Sequence, residues 1–157
     1  MGANAVNPDF LQEHDMKLVS DLMTRELLTH LPDDTLQDAE QTMGRHQIRH
    51  IPVVDEEGKI FGLLSQKEFL TEAFRITDKF GAHNMQTYLA KTTLRSCINT
   101  DVQTIPADMP LTTAGQQLRN SRQGCLLVTD SDNHLIGLLS SKDFVRLAIE
   151  LLERQDG

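Results

Sequence analysis

The chain has 157 residues, with 15 Lys and Arg against 23 Asp and Glu and a net charge of −8. Its 39% hydrophobic and 24% charged residues are the balance of an ordinary globular protein, and no apolar run approaches the roughly 20 residues that span a bilayer. The acidic balance, with no Trp and one Tyr, argues against a nucleic-acid partner, which needs clustered cations for phosphate and rings for base stacking.

From the N-terminus, MGANAVNPDF lacks the basic and apolar regions of a secretory signal, and Val6 stands where a myristoylation motif needs Ser or Thr. The expected location is therefore cytoplasmic, without membrane attachment. Residues 1–17 read as an extension, with a short helix expected over Phe10 to Lys17. Glu26 to Leu31 is a strand candidate ended by the turn-forming Pro32-Asp33-Asp34. Thr35 with Asp38 gives a capping-box start, and Leu36, Ala39 and Met43 share one face of the helix it opens. His50 to Val54 and Lys59 to Leu64 are apolar runs around the acidic, Gly-ended turn Asp55 to Gly58, the pattern of a β-hairpin. Ser65 opens a last helix in which Phe69, Leu70, Ala73 and Phe74 are expected to form a wide buried face. Residues 75–92 extend it and cross to the second half, with Gly81 to Asn84 as the expected break.

The second half repeats the first. A shift of 75 residues lays GLLSQKEF at Gly62 to Phe69 on GLLSSKDF at Gly137 to Phe144, and pairs Leu36 with Leu111, Ala39 with Ala114, Val53 with Val128 and Asp55 with Asp130. Leu31-Pro32 matches Ile105-Pro106 after a one-residue adjustment. Pro110 suits the first turn of a helix carrying Leu111, Ala114 and Leu118. Cys125 to Thr129 and Leu135 to Leu139 form the second hairpin, in which Asn133 replaces Gly58 as the other residue that tolerates a left-handed backbone. Ser140 opens the final helix, with Phe144, Val145, Ala148, Leu151 and Leu152 on its apolar face. The fold expected is α+β: two copies of one βαββα unit, as an extension 1–17, a repeat 18–80, a linker 81–92, a repeat 93–152 and a tail 153–157. The final helices carry more apolar surface than one unit's core needs, notably Leu147, Ile149, Leu151 and Leu152, so a homodimer is expected.

Catalytic motifs are missing: no Walker loop, GxGxxG, nucleophile elbow or HExxH occurs. His46 and His50 are four apart, but a predicted helix end between them removes the zinc-binding geometry, and no metal is expected. Cys97 and Cys125 lack CxxC spacing and read as reduced packing residues. Ser65 with Glu68, and Ser140 with Asp143, are Ser-x-x-acid pairs at helix starts, a spacing that caps any helix.

Taken together, these residues resemble the CBS domain, named after cystathionine β-synthase, in the tandem arrangement called the Bateman module. Val19 to Thr24, Leu31-Pro32, Ile51 to Asp55 and Gly62 to Ser65 carry the resemblance. The second copy departs from it at Cys97-Ile98-Asn99, and at Leu127 where the first has Pro52. The resemblance implies two pseudo-symmetric units packed sheet to sheet, with clefts that bind adenosine-containing ligands such as AMP, ADP, ATP or S-adenosylmethionine. It implies a regulatory module that needs no cofactor, catalyses nothing and acts on an unidentified effector protein. The family's ribose and phosphate pattern, Gly-apolar-any-Ser/Thr-any-any-Asp, is complete from Gly137 to Asp143; in the first copy Glu68 takes the Asp place. A carboxylate at a helix start can accept from both ribose hydroxyls, while the helix N-terminus favours phosphate. The main site is expected where Ser140 and Asp143 face Thr29, His30, Leu31 and Ile48, with Arg49 and His50 toward the phosphates. Ser65, Glu68, Thr104 and Ile105 form the smaller counterpart. The alternative is a ligand-free dimerisation or protein-interaction module, separable by whether a nucleotide shifts the protein's stability.

Overall fold

A computed structural model describes residues 17–156, so all but the last residue of the helix expected over Phe10 to Lys17 lies outside the described residues. A short helix α1 (Val19–Leu22) leads into α2 (Leu36–His46), the hairpin β1 (His50–Val54) and β2 (Ile60–Ser65), and α3 (Gln66–Phe80). A 3-10 turn and α4 (Met85–Leu89) cross to the second half, β3 (Thr104–Pro106), α5 (Leu111–Asn120), β4 (Cys125–Thr129), β5 (Leu135–Ser140) and α6 (Ser141–Asp156).

The local chemistry builds these elements as the sequence suggests. Thr35 Oγ1 accepts from the Asp38 amide at 3.2 Å and the Thr35 amide donates back to Asp38 Oδ2 at 2.9 Å, closing the capping box of α2. Gly58 and Asn133 both take positive φ, 84° and 68°, at the tips of the two hairpins. β1–β2 and β4–β5 are antiparallel, and each shifts register at the same point, between Val53 and Val54 and between Val128 and Thr129.

One expected strand is nearly absent. Glu26 to Leu31 contributes a single parallel bridge, His30 to Val53, whereas β3 pairs with β4 at three positions. The cause is Pro52. In the second half the Leu127 amide donates to Gln103 O at 3.4 Å; Pro52, at the same place, has no N–H, so that rung cannot form. The bridges also align His30 with Ile105 under the 75-residue shift, without the one-residue adjustment. Where Ile105 is a buried apolar residue, His30 places Nδ1 2.7 Å from Asp34 Oδ2 and Nε2 2.8 Å from Thr42 Oγ1.

The leading segment of each unit packs on the other unit. Val19, Leu22 and Met23 are buried with Ile105, Leu111, Leu126 and Leu139, while Leu89 and Leu94 are buried with Leu36, Ile51, Val53 and Leu64. Backbone bonds fix this exchange: Thr24 and Leu138 donate to each other's carbonyls at 2.9 and 3.0 Å, and Leu63 donates to Asn99 O at 3.0 Å. Gly62 and Gly137 sit beneath the crossing segments, where a Cβ would run into Ile98 and the Asn99 carbonyl, or into Met23. Between the units, Leu63, Cys125 and Leu127 form a third core, and the Lys59–His134 bridge joins the hairpin tips.

The wide buried face expected on the last helices is buried only in part: Phe69 is buried and Ala73 and Phe144 pack on the cores, but the rest of the stripe faces outward. Leu70, Phe74, Val145, Ile149 and Leu152 are exposed, Phe74 by 73%. α6 uses Phe144 and Leu147 against its own core and turns the opposite apolar stripe outward.

Candidate functional site

The two carboxylates that the motif places alike have different surroundings. Each lies at the start of a helix that follows the second strand of a hairpin; Glu68 closes a full capping box with Ser65, and Asp143 accepts from the Ser140 amide, the reciprocal arm of one. Glu68 is half-buried: its Oε1 accepts from the Ser65 amide and hydroxyl, both at 3.0 Å, and its Oε2 accepts from no described residue. Asp143 is 2% exposed. Its Oδ2 accepts from the Ser140 amide at 2.9 Å and hydroxyl at 3.4 Å, and its Oδ1 accepts from Thr24 Oγ1 at 3.1 Å and lies 3.4 Å from Arg146 Nη1.

Beside Glu68 a cavity of about 470 Å³ opens between the units. Leu63, Ser65, Lys67 and Thr71 line it from the first half; Asn99, Asp101, Gln103 and the 120–123 loop line it from the second. That loop is pinned by amides: Gln123 Oε1 accepts from the Gln103 amide at 2.8 Å, and Gln123 Nε2 donates to Cys125 O at 2.7 Å. Lys67 and Arg122, both exposed, pair with no carboxylate among the described residues.

The structure distributes the remaining sequence candidates as follows. His50 pairs in register with Ser65, and its ring lies where a Cβ on Gly124 would be, 2.8 Å from Nε2. Burial pushes its pKa below the ordinary imidazole value; a hydrogen bond to the Gln123 backbone opposes this, the Arg49 cation lowers it further and the Glu68 carboxylate raises it. It thus belongs with Glu68 rather than in the expected group around Asp143. His30 is committed to Asp34 and Thr42. Thr29, Leu31 and Arg49 are exposed, and Ile48 packs against the first unit's core. Thr104 and Ile105 do not line the Glu68 cavity but a second one of about 460 Å³, with Asp108, Thr129 and Asp130. Lys67, Asn99, Gln103, Arg122 and Gln123 were missed by the motif reading because each half of the cavity wall comes from a different repeat; unpaired cations in an acidic chain were the available signal.

α2 ends at His46, with Gln47 in the left-handed region before β1, so His46 and His50 stand on different elements. Asp130, Asp132 and His134 are the group of metal-type side chains that the described residues bring together, with ligand atoms within 4.8 Å. Asp130 Oδ1 there already accepts from the Asp132 and His134 amides at the hairpin turn, both at 2.9 Å. No helix among the described residues is long and apolar enough to cross a membrane.

The CBS domain family model matches twice in tandem, at residues 19–75 and 94–150. The chain belongs to the CBS domain family. A CBS domain-containing protein of Dictyostelium discoideum is 29% identical over 139 residues, covering 87% of this chain and 94% of that one. AcuB of Vibrio cholerae, named for acetoin utilization, has a similar structure with TM-score 0.76 and 32% identity, over 90% of this chain and 97% of its own. CBSX2 of Arabidopsis thaliana, solved in complex with AMP, matches with TM-score 0.73 and 23% identity over 87% and 98%. A CBS domain pair solved with 5′-methylthioadenosine and S-adenosyl-L-methionine matches at TM-score 0.69, 22% identity, over 85% and 96%. Two of these CBS pairs were thus solved with adenosine-containing ligands.

Some relatives are enzymes, but the chain spans only 12% of inosine-5′-monophosphate dehydrogenase of Korarchaeum cryptofilum and 24% of homoserine O-acetyltransferase of Methanohalobium evestigatum. The likeness covers their CBS portion and does not carry their activities.

Proposed function

We propose that this CBS pair senses an adenosine-containing nucleotide in the cavity beside Glu68 and passes the signal to an effector protein as a homodimer, without catalysis. The observation that carries the reading is the half-buried Glu68 carboxylate, one oxygen engaged by Ser65 and the other without a described donor, on the wall of a cavity of about 470 Å³. That volume lies within the range of small-molecule sites, about 300–1,000 Å³. An acceptor pair of this kind suits a ribose diol, and Lys67 with Arg122 suits a phosphate in an otherwise acidic protein. Because both halves supply the wall, a ligand there favours one packing of the units over another, which is the differential affinity that signalling requires. The outward stripes of α3 and α6 suit a second copy, since a helix apolar on two faces is stable only when both are covered.

Calorimetric titration with AMP, ATP and S-adenosylmethionine tests the reading. Binding of at least one is expected, weakened about tenfold or more in Glu68→Ala, the loss expected for a charge-assisted bond. The exposed α3 and α6 stripes by themselves favour the ligand-free dimerisation reading; no heat and no thermal shift with any of the three would leave that one standing.

A further inference from the structure

The 75-residue shift also pairs the segments that cross between the units. The Arg95 amide donates to Pro32 O at 2.8 Å, and its counterpart, the Ser20 amide, donates to Ala107 O at 2.9 Å. Their side chains differ. In the first unit the Arg95 guanidinium lies 5.1 Å over the Phe61 ring, and its Nε donates to Asp33 Oδ1 at 3.1 Å. The matching places in the second unit are Ile136 and Asp108, and the residue that stands where Arg95 does is Ser20, which brings no cation.

The space left there is the cavity of about 460 Å³, lined by Asp108 and Ile136 together with Thr104, Thr129 and Asp130. It lies at the far end of β4 from the Glu68 cavity: Gln123, just before β4, walls that one, and Thr129, the last residue of β4, walls this one. Asp108 is exposed and pairs with no cation among the described residues. Asp130 is already engaged, Oδ1 by two turn amides and Oδ2 by His134 Nδ1 at 3.2 Å. Arg25 spends its Nη2 on the Ser20 carbonyl at 3.0 Å.

We propose that this cavity docks an arginine side chain of a partner protein, seated in the second unit as Arg95 is seated in the first. A guanidinium fits both walls, because its fork donates to a carboxylate while its weakly hydrated face lies on an apolar floor. The cation comes from outside the chain's own extension, since residues 1–16 contain neither Lys nor Arg. A net charge of −8 steers a basic partner toward the surface. The proposal goes beyond the nucleotide reading and does not depend on it.

Nuclear magnetic resonance titration of the full chain with acetyl-Gly-Arg-Gly-amide, at constant ionic strength, tests this. Saturable shifts are expected at the amides of Asp108, Thr129 and Ile136, with tighter binding than for the lysine peptide of the same form. Asp108→Asn is expected to weaken binding about two- to fivefold, the loss of an exposed ion pair. Ser20→Arg is expected to abolish it, because the chain's own guanidinium then fills the space; Asp108→Asn decides the matter should that variant fold poorly. No saturable shift at these amides, equal binding of the lysine peptide, or wild-type affinity in Asp108→Asn overturns the proposal. A change of sedimentation in Asp108→Asn without peptide also overturns it, by assigning the cavity to a second copy of this chain.

Discussion

Removing the Asp143 side chain should cost the fold far more than removing that of Glu68, although the motif treats them as equivalents. Asp143→Ala strips the reciprocal arm of the α6 cap, the Ser140 amide bond at 2.9 Å, worth about 1 kcal/mol, and orphans the part-buried Thr24 hydroxyl, which it now receives at 3.1 Å. Leaving such a donor unmade costs about 1–3 kcal/mol. The Arg146 pair adds little, because that side chain is 56% exposed, and relief from burying a carboxylate at 2% exposure offsets part of the loss. The net expectation is about 2–3 kcal/mol. Glu68→Ala loses only the two bonds from Ser65, at a half-exposed position where water can substitute, for about 1 kcal/mol or less. Urea unfolding followed by circular dichroism at fixed protein concentration reads the difference. With a slope of about 2 kcal/mol per M, Asp143→Ala should lower the midpoint by about 1 M and Glu68→Ala by less than about 0.5 M. Equal shifts, or a larger one for Glu68→Ala, would refute the reading that burial and the Thr24 contact separate the two carboxylates.

Phe74→Glu and Ile149→Glu, both on exposed positions, should shift sedimentation from dimer to monomer while changing chain stability by less than about 0.5 kcal/mol; a wild-type monomer would contradict this. His50 has its pKa held below the ordinary 6.5 by burial, so the unfolded chain binds the proton more readily and stability falls as pH drops through about 6.5. Urea midpoints at about pH 7.5 and about pH 5.5 should differ less in His50→Gln than in the wild type. Gly44→Ala meets nothing within 4 Å inside α2 and should stabilise by about 0.5–1 kcal/mol, whereas Gly137→Ala runs into Met23 and should destabilise by about 1–3 kcal/mol in the same assay. Cys125, fully buried with its thiol pushed up to about 12, should resist a disulfide-exchange reagent until the protein is unfolded.

Features that depend on near neighbours along the chain can be read from the residues alone. The repeat, the capping boxes at Thr35 and Ser65, the Ser140–Asp143 contact at the last helix start, the two hairpins and the left-handed tips at Gly58 and Asn133 were all legible, because turn and cap chemistry is decided within about four residues. Ser65 and Glu68 were legible as a pair for the same reason. Pro52 was visible too, but its consequence was not: a missing N–H erases a rung only once the partner strand is known. Long-range packing sets the rest: each leading segment crosses to the other unit, His50 packs at Gly124 near Glu68, and Asn99, Gln103 and the 120–123 loop wall the cavity. It also decided the fate of the two carboxylates. The two side chains differ by one methylene, yet what each can bind depends on which distant side chain lies over it, Thr24 on Asp143 and none of the described residues on the second oxygen of Glu68. A motif specifies a carboxylate at a helix start; burial and the donors brought in by long-range packing determine whether that carboxylate has acceptor capacity left for a ligand.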